Sequence, residues 1–238
     1  MKILFIHHSV GGNLINQGNL RDELHKLNPN IELWDHGYNL YPLLFLSKVL
    51  GRITFRTGLS DKQGKMVGKD YKITLSNNSP KEYAEIFSRN PNNYTLQSIL
   101  SYDIIAFKNC FPTTHITSDT QLQKDMEYYR SIRKSLSDYP NKKFILLIPP
   151  PVRREVTTIE NARRAKMLAS WLTLKDFLDD SKNIFVFDFF TLLADQDGML
   201  KQEYTPLIKI DSHPNKKANK TIAPIFAKFI SELVTLSK

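Results

Sequence analysis

The sequence predicts an α/β protein: a three-layer α/β/α arrangement around a doubly wound parallel sheet of about five strands in a flavodoxin-like order. Three observations predict it. Short, uninterrupted apolar runs recur along the 238 residues, and amphipathic helical patterns lie between them. Those runs show no polar alternation, which is the pattern of strands buried on both faces by covering helices. A hydrophobic content of 41% supplies one sizeable core, and with no composition break or linker the whole of 1–238 reads as one domain.

The elements follow in order. Ile3-Leu4-Phe5-Ile6 is the first strand, and Leu14, Ile15, Leu20, Leu24 and Leu27 then keep a helical spacing up to Asn28-Pro29. Ile31-Glu32-Leu33-Trp34 is the second strand, ending in the turn-rich Asp35-His36-Gly37-Tyr38-Asn39. The stretch around 40–80, apolar from Leu43 to Leu50 and then polar with Gly58, Gly64 and Gly68, reads as an irregular excursion over the active face. Helical patterns over about 81–89 and 94–101 precede the strand Asp103–Phe107. A helix over about 119–138 leads to the strand Phe144–Ile148, which Pro149-Pro150-Pro151 stops. A helix over about 158–179, with Trp171 and Leu172 in the core, leads to the strand Ile184–Phe187. The last helix carries Ile222, Ile225, Phe226, Phe229, Ile230 and Leu233 on one face, with Pro214 in its first turn.

In such sheets ligands bind beyond the carboxyl ends of the strands. Ser9, Gly37, Asn109 and the Pro149–Arg154 loop all follow strand ends, so the fold alone places them along one rim. The 33 basic against 24 acidic residues leave a net charge of +9, which suits an anionic neighbour: polymer, nucleic acid or membrane surface. The lysines are scattered, however, and read first as a solvated face. Direct nucleic-acid binding is not expected, since no RNP, zinc or helix-turn-helix signature accompanies the charge.

Cys110 is the single cysteine, so no intramolecular disulfide forms and the expected location is cytoplasmic. No signal-type leader or membrane-spanning run is read. Cys110 itself follows a buried-type strand and reads as a small core residue. No metal or other cofactor is expected: His7, His8, His36 and His213 with Asp35 and Asp211 lack HExxH or CxxC spacing.

A serine hydroxyl becomes a nucleophile when a base takes its proton and a third group fixes the tautomer of that base. Ser9, His213 and Asp211 are the residues that fill these roles. The oxyanion of a tetrahedral intermediate needs donors, for which the backbone N–H groups of Ser9 and Gly37 and the Asn109 side chain are suited. Each has a plain alternative: Ser9 as a helix cap, Gly37 and Asn109 as turn formers, His213 as a helix-start residue. Arg153 and Arg154, in the loop after a strand end, are candidates to hold an anionic substrate, or are simply solvated.

These residues resemble the SGNH or GDSL hydrolases, whose four blocks supply Ser, Gly, Asn and His in that chain order, here Ser9, Gly37, Asn109 and His213. The resemblance covers nearly the whole chain and is closest to a bacterial branch sharing His7-His8-Ser9-Val10-Gly11, Phe107-Lys108-Asn109-Cys110-Phe111-Pro112, Ala162-Arg163-Arg164-Ala165 and Asp211-Ser212-His213-Pro214-Asn215. The chain departs from the family pattern in three places. His7-His8-Ser9 stands for Gly-Asp-Ser, Phe107-Lys108-Asn109-Cys110 for Gly-x-Asn-Asp, and Asp211-Ser212-His213 for Asp-x-x-His. The resemblance implies an ester hydrolase that removes a small acyl group from a carbohydrate or similar hydroxyl, its partner a small-molecule or glycan ester. The closest rival is an O-acyltransferase of a polysaccharide. A catalytically silent module binding an anionic polymer is the rival from another class.

Overall fold

The computed structural model describes residues 1–40, 57–74 and 76–235; the apolar Leu43–Leu50 stretch lies outside them. Among the described residues six strands form one sheet: β1 Lys2–Ile6, β2 Glu32–His36, β3 Leu59–Ser60, β4 Ile104–Phe107, β5 Lys143–Leu147 and β6 Ile184–Phe187. Their order is β3-β2-β1-β4-β5-β6. The five strands expected from the apolar runs are all present, mutually parallel and in the flavodoxin-like order. The addition is β3, a two-residue strand that runs antiparallel along β2 with Asp35 opposite Ser60 and His36 opposite Leu59. It falls within the stretch read as irregular, because two residues are too few to show a period.

Alternate residues of each strand enter two separate cores, as the pleat requires. Leu4, Ile6, Ile105, Phe107, Phe144 and Leu146 pack on one face. They meet α3 Lys81–Phe87, α4 Tyr94–Leu100, α5 Asp119–Ser137 and α6 Ile159–Leu172. Ile3, Phe5, Ile104, Ala106, Ile145 and Leu147 pack on the other, against α1 Ser9–Asn16, α2 Leu20–Leu27 and α9 Lys216–Thr235. Among the described residues there are also two short helices, α7 Lys175–Leu178 and α8 Phe189–Leu193.

Three helical expectations need correction. The pattern from Leu14 to Leu27 is two helices, because Asn19 takes the left-handed conformation at φ 56° and ends the run. At Gly18 the chain lies so close to α9 that a Cβ would sit 2.6 Å from the Asn219 carbonyl oxygen and 2.7 Å from the Ala223 Cβ. The pattern over 158–179 breaks at Thr173-Leu174 into α6 and α7, with Leu172 buried and Trp171 only half-buried beneath the Arg130 guanidinium. The last helix starts at Lys216, after Pro214, and contains Pro224 on its solvent face, where a missing backbone donor is least costly. Among the described residues no helix is long and apolar enough to cross a membrane.

Candidate active site

The ladder between β1 and β2 continues one residue past the end of β1, since the His7 amide donates to the carbonyl of His36, the last residue of β2, at 3.0 Å. The chain then turns at His8 and enters α1 with Ser9 as its first residue. Gly11 makes that entry possible: a Cβ there would stand 2.3 Å from the His7 Cβ. The first-turn amides of a helix have no intrahelical acceptor. The Ser9 N–H accordingly points out of α1 with no protein acceptor among the described residues.

From the far end of the chain, the segment before α9 brings His213 to the same place. The Ser9 Oγ–H donates to His213 Nε2 at 2.6 Å. His213 Nδ1–H donates to Asp211 Oδ1 at 2.5 Å, and the same oxygen accepts the His213 backbone N–H at 2.9 Å. That second bond explains how an Asp-x-His spacing suffices. An aspartate commonly folds back onto the amide two residues on, and this turn lays the carboxylate beside the ring of that residue. Burial disfavours the charged imidazole, but Cys110 and Asp211 outweigh it and hold the His213 pKa above its usual value. Phe111 stands edge-on to the ring, with centroids 5.0 Å apart.

Arg153 fixes this segment from below, and so is not placed to meet a substrate. It is 3% exposed and forms a two-pronged ion pair with Glu155 at 2.8 and 2.9 Å. It also donates to the carbonyls of Pro206, Ile208 and Asp211 at 3.2, 2.5 and 3.3 Å. Its own amide donates to the buried Ser212 hydroxyl at 3.2 Å. Arg154 points elsewhere, pairing with Asp195 and Asp197. The expected anion-holding role of Arg153 is therefore corrected: a guanidinium whose N–H groups already face protein oxygens has few left for a ligand.

The two other oxyanion candidates are also engaged. The Gly37 amide donates to the Gly58 carbonyl at 3.2 Å. Asn109 is fully buried, and its amide nitrogen donates to Asn77 Oδ1 at 3.1 Å and to the Ser79 carbonyl at 2.8 Å. Asn77 escaped the sequence reading, although Asn77-Asn78-Ser79-Pro80 is a turn signal. It brackets the whole block, because its side chain also donates to the Lys108 carbonyl at 2.9 Å and its carbonyl accepts the Cys110 amide at 2.7 Å.

Cys110 is buried as expected, yet its sulfur lies 3.8 Å from Ser9 Oγ. Burial raises a thiol pKa, but His213 and the Lys108 charge more than compensate and bring it below its usual value. Lys108 is itself buried without a carboxylate partner among the described residues, donating to the Asn109 carbonyl at 2.6 Å, and burial lowers it to about 8.

The histidines before Ser9 have separate surroundings. His7 Nε2 meets Asp35 at 3.0 Å while its Nδ1 donates to the His8 carbonyl at 2.7 Å. Asp35 is buried and also ion-paired with Arg21 of α2. Its carboxyl is disfavoured as an anion by burial, but His7 and Arg21 together hold its pKa below the usual range. His8 stacks on Tyr38 at 4.1 Å, and burial first, then the neighbouring His7 and Lys108, lower its pKa to about 3. His36 donates through Nδ1 to the Gly37 carbonyl and accepts the Tyr71 amide at Nε2.

No protein-family model matches the chain, and no curated protein does. Solved structures do. A candidate acylhydrolase from Bacteroides fragilis aligns with a TM-score of 0.56 at 13% identity, over 98% of this chain and 87% of its own. A GDSL-like lipase from Bacteroides thetaiotaomicron aligns with a TM-score of 0.51 at 11% identity, over 98% and 88%. A candidate platelet activating factor from Streptococcus pneumonia aligns with a TM-score of 0.50 at 17% identity, over 96% and 83%. With its parallel sheet, its layer of helices on each face and these neighbours, the chain has the fold of the SGNH/GDSL hydrolases.

Proposed function

We propose that the protein hydrolyses carboxylic esters, with Ser9 as nucleophile, His213 as general base and then general acid, and Asp211 as the group that fixes the imidazole tautomer. The unbroken run from Asp211 through His213 to Ser9, at 2.5 and 2.6 Å, is the observation that carries this reading. In the reaction Ser9 Oγ attacks the ester carbonyl as its proton passes to His213 Nε2. The same proton goes to the leaving alcohol, and a water activated by the neutral imidazole releases the acid. Asp211 stays ionised and steadies the imidazolium. The Ser9 N–H at the start of α1 is the donor for the oxyanion, aided by the positive end of that helix.

Asn109 and Gly37 act in this reading as braces for the rim rather than as oxyanion donors. The preferred substrate in this reading carries a small acyl group, such as acetyl on a carbohydrate or similar hydroxyl; the Phe111 ring stands against the His213 imidazole, and His8, the residue before Ser9, stacks on Tyr38. The neighbours' descriptions as acylhydrolase and GDSL-like lipase support the ester class. The lone cysteine supports a cytoplasmic setting.

A fluorophosphonate probe with peptide mapping tests the assignment. The adduct is expected on Ser9, and Ser9→Ala is expected to lose both the adduct and turnover of short-chain nitrophenyl esters while keeping its thermal midpoint. An adduct on another residue, or full turnover by the folded variant, would refute it.

A further inference from the structure

The segment that presents His213 also carries the three most exposed aliphatic side chains among the described residues. Leu207 is fully exposed, Ile208 is 64% exposed and Ile210 is 79% exposed. Their backbone is nonetheless tied down. Arg153 holds the carbonyls of Pro206, Ile208 and Asp211, Asn215 holds that of Thr205 at 3.0 Å, and the Asp211 amide donates back to Ile208 at 3.1 Å. A loop anchored to the protein through several of its carbonyls, with its aliphatic side chains turned outward, can present those side chains to an apolar phase without unfolding.

The charge around this tip is predominantly positive. Lys209 lies between Ile208 and Ile210, and Lys216 and Lys220 are exposed on the first turns of α9; none of the three has an ion-pair partner among the described residues. The nearby acids are all taken: Glu155 by Arg153, Glu203 by Lys217 and Asp211 by His213. An exposed aliphatic cluster accompanied by ammonium groups that make no ion-pair contact among the described residues matches the surface of a bilayer containing anionic lipid. That combination supplies both of the attractions that peripheral binding needs.

We propose that the Leu207–Ile210 tip docks the protein on an anionic lipid surface. The three aliphatic side chains enter the acyl boundary, and Lys209, Lys216 and Lys220 face the head groups. Docking there turns toward the membrane the groove lined by Pro206, Asp211, His213 and Lys216. The proposal rests on the tip and its charge, not on the ester-hydrolase reading.

The test is co-sedimentation of the full chain carrying Ser9→Ala, so that no turnover enters the measurement, and its outcome is therefore separable from that of the esterase assay. Vesicles of phosphatidylcholine alone are compared with vesicles of equal parts phosphatidylcholine and phosphatidylglycerol. Three unpaired lysines are expected to favour the anionic vesicles by on the order of 10²-fold. Leu207→Ser/Ile208→Ser/Ile210→Ser should abolish that binding at an unchanged thermal midpoint, as the side chains removed are exposed. Absence of vesicle binding, equal binding to both lipid compositions, or equal binding by the triple variant would overturn the proposal. So would a concentration-dependent dimer that the triple variant loses, since the tip would then be the contact between two copies.

Discussion

Asp125→Asn is expected to stabilise the protein at neutral pH and to leave it unchanged in acid. Asp125 lies on the inner side of α5, 6% exposed, with no hydrogen bond or ion pair among the described residues. One turn further along the same helix the Tyr129 hydroxyl is also buried without a partner. Burial lifts the Asp125 pKa from 3.8 to about 6, against a small opposing effect of Lys124. The folded protein thus holds this proton more tightly than the unfolded chain does. Folding is undisturbed while the carboxyl is protonated in both states, below about pH 4. As pH rises from there through 6, the native state must accept a buried, unpaired charge, and stability is lost.

The gap between 3.8 and about 6 corresponds to a penalty of about 3 kcal/mol, an upper bound because local relaxation and water entry reduce it. The asparagine carries no charge at any pH, so its advantage should be close to zero at pH 4 and reach ~1–3 kcal/mol by pH 7.5. For a chain of this length that is a rise of roughly 2–12 °C in thermal midpoint. Urea unfolding of both proteins across pH 4–8 measures the difference directly. An advantage independent of pH, or none at pH 7.5, would show that the Asp125 carboxylate finds a partner or solvent in the native state.

Three further outcomes follow from the same geometry. Because His213 is held above its usual pKa, kcat/KM should fall as pH drops through that raised value. Asp211→Asn should move this acid limb to lower pH while lowering kcat by on the order of 10²-fold or more, as a pH–rate profile will show; an unmoved limb would mean another base. Asn109→Ala should cost ~1–3 kcal/mol by leaving Asn77 Oδ1 and the Ser79 carbonyl without their donor, with kcat of the folded fraction retained. A kcat loss without destabilisation would return Asn109 to the oxyanion. Lys108→Met should stabilise by ~1–3 kcal/mol at pH 7, since burial lowers this lysine from 10.5 to about 8 and its charge has no carboxylate partner among the described residues. That gain should shrink as pH rises from 8 toward 10.5, where the native lysine is already neutral, and chemical unfolding at pH 7 and 10 compares the two.

The sheet was legible because each parallel strand is a run of apolar residues long enough to stand out, and because the helices between them fix the winding. What escaped depends on distant partners. Leu14, Ile15, Leu20, Leu24 and Leu27 keep a helical spacing straight through the break at Gly18-Asn19, and only the closeness of α9 reveals why the chain turns there. At the site, Ser9 and His213 were recognisable from residue type and from their positions at a strand end and a helix start. Where the Asn109 amide hydrogens go could not be read, since Asn77 and Ser79 lie some thirty residues away in a stretch without periodicity. Arg153 looked like a ligand for anions because a sequence shows that a guanidinium is present but not whether carbonyl groups already surround it.

That guanidinium has a consequence for how the rim fluctuates. Pro206, Ile208 and Asp211 all bond to the same Nη1 atom, and its neighbours Nε and Nη2 are clamped by Glu155. A loop whose carbonyls are tied to separate donors frays residue by residue, whereas one gathered on a single buried cation opens only when that cation is released. The segment from Pro206 to His213 should thereby open as a cooperative unit: its hydrogen-bonded amides, those of Asp211 and His213, should exchange with solvent together, and the imidazole should withdraw from Ser9 only with the whole segment.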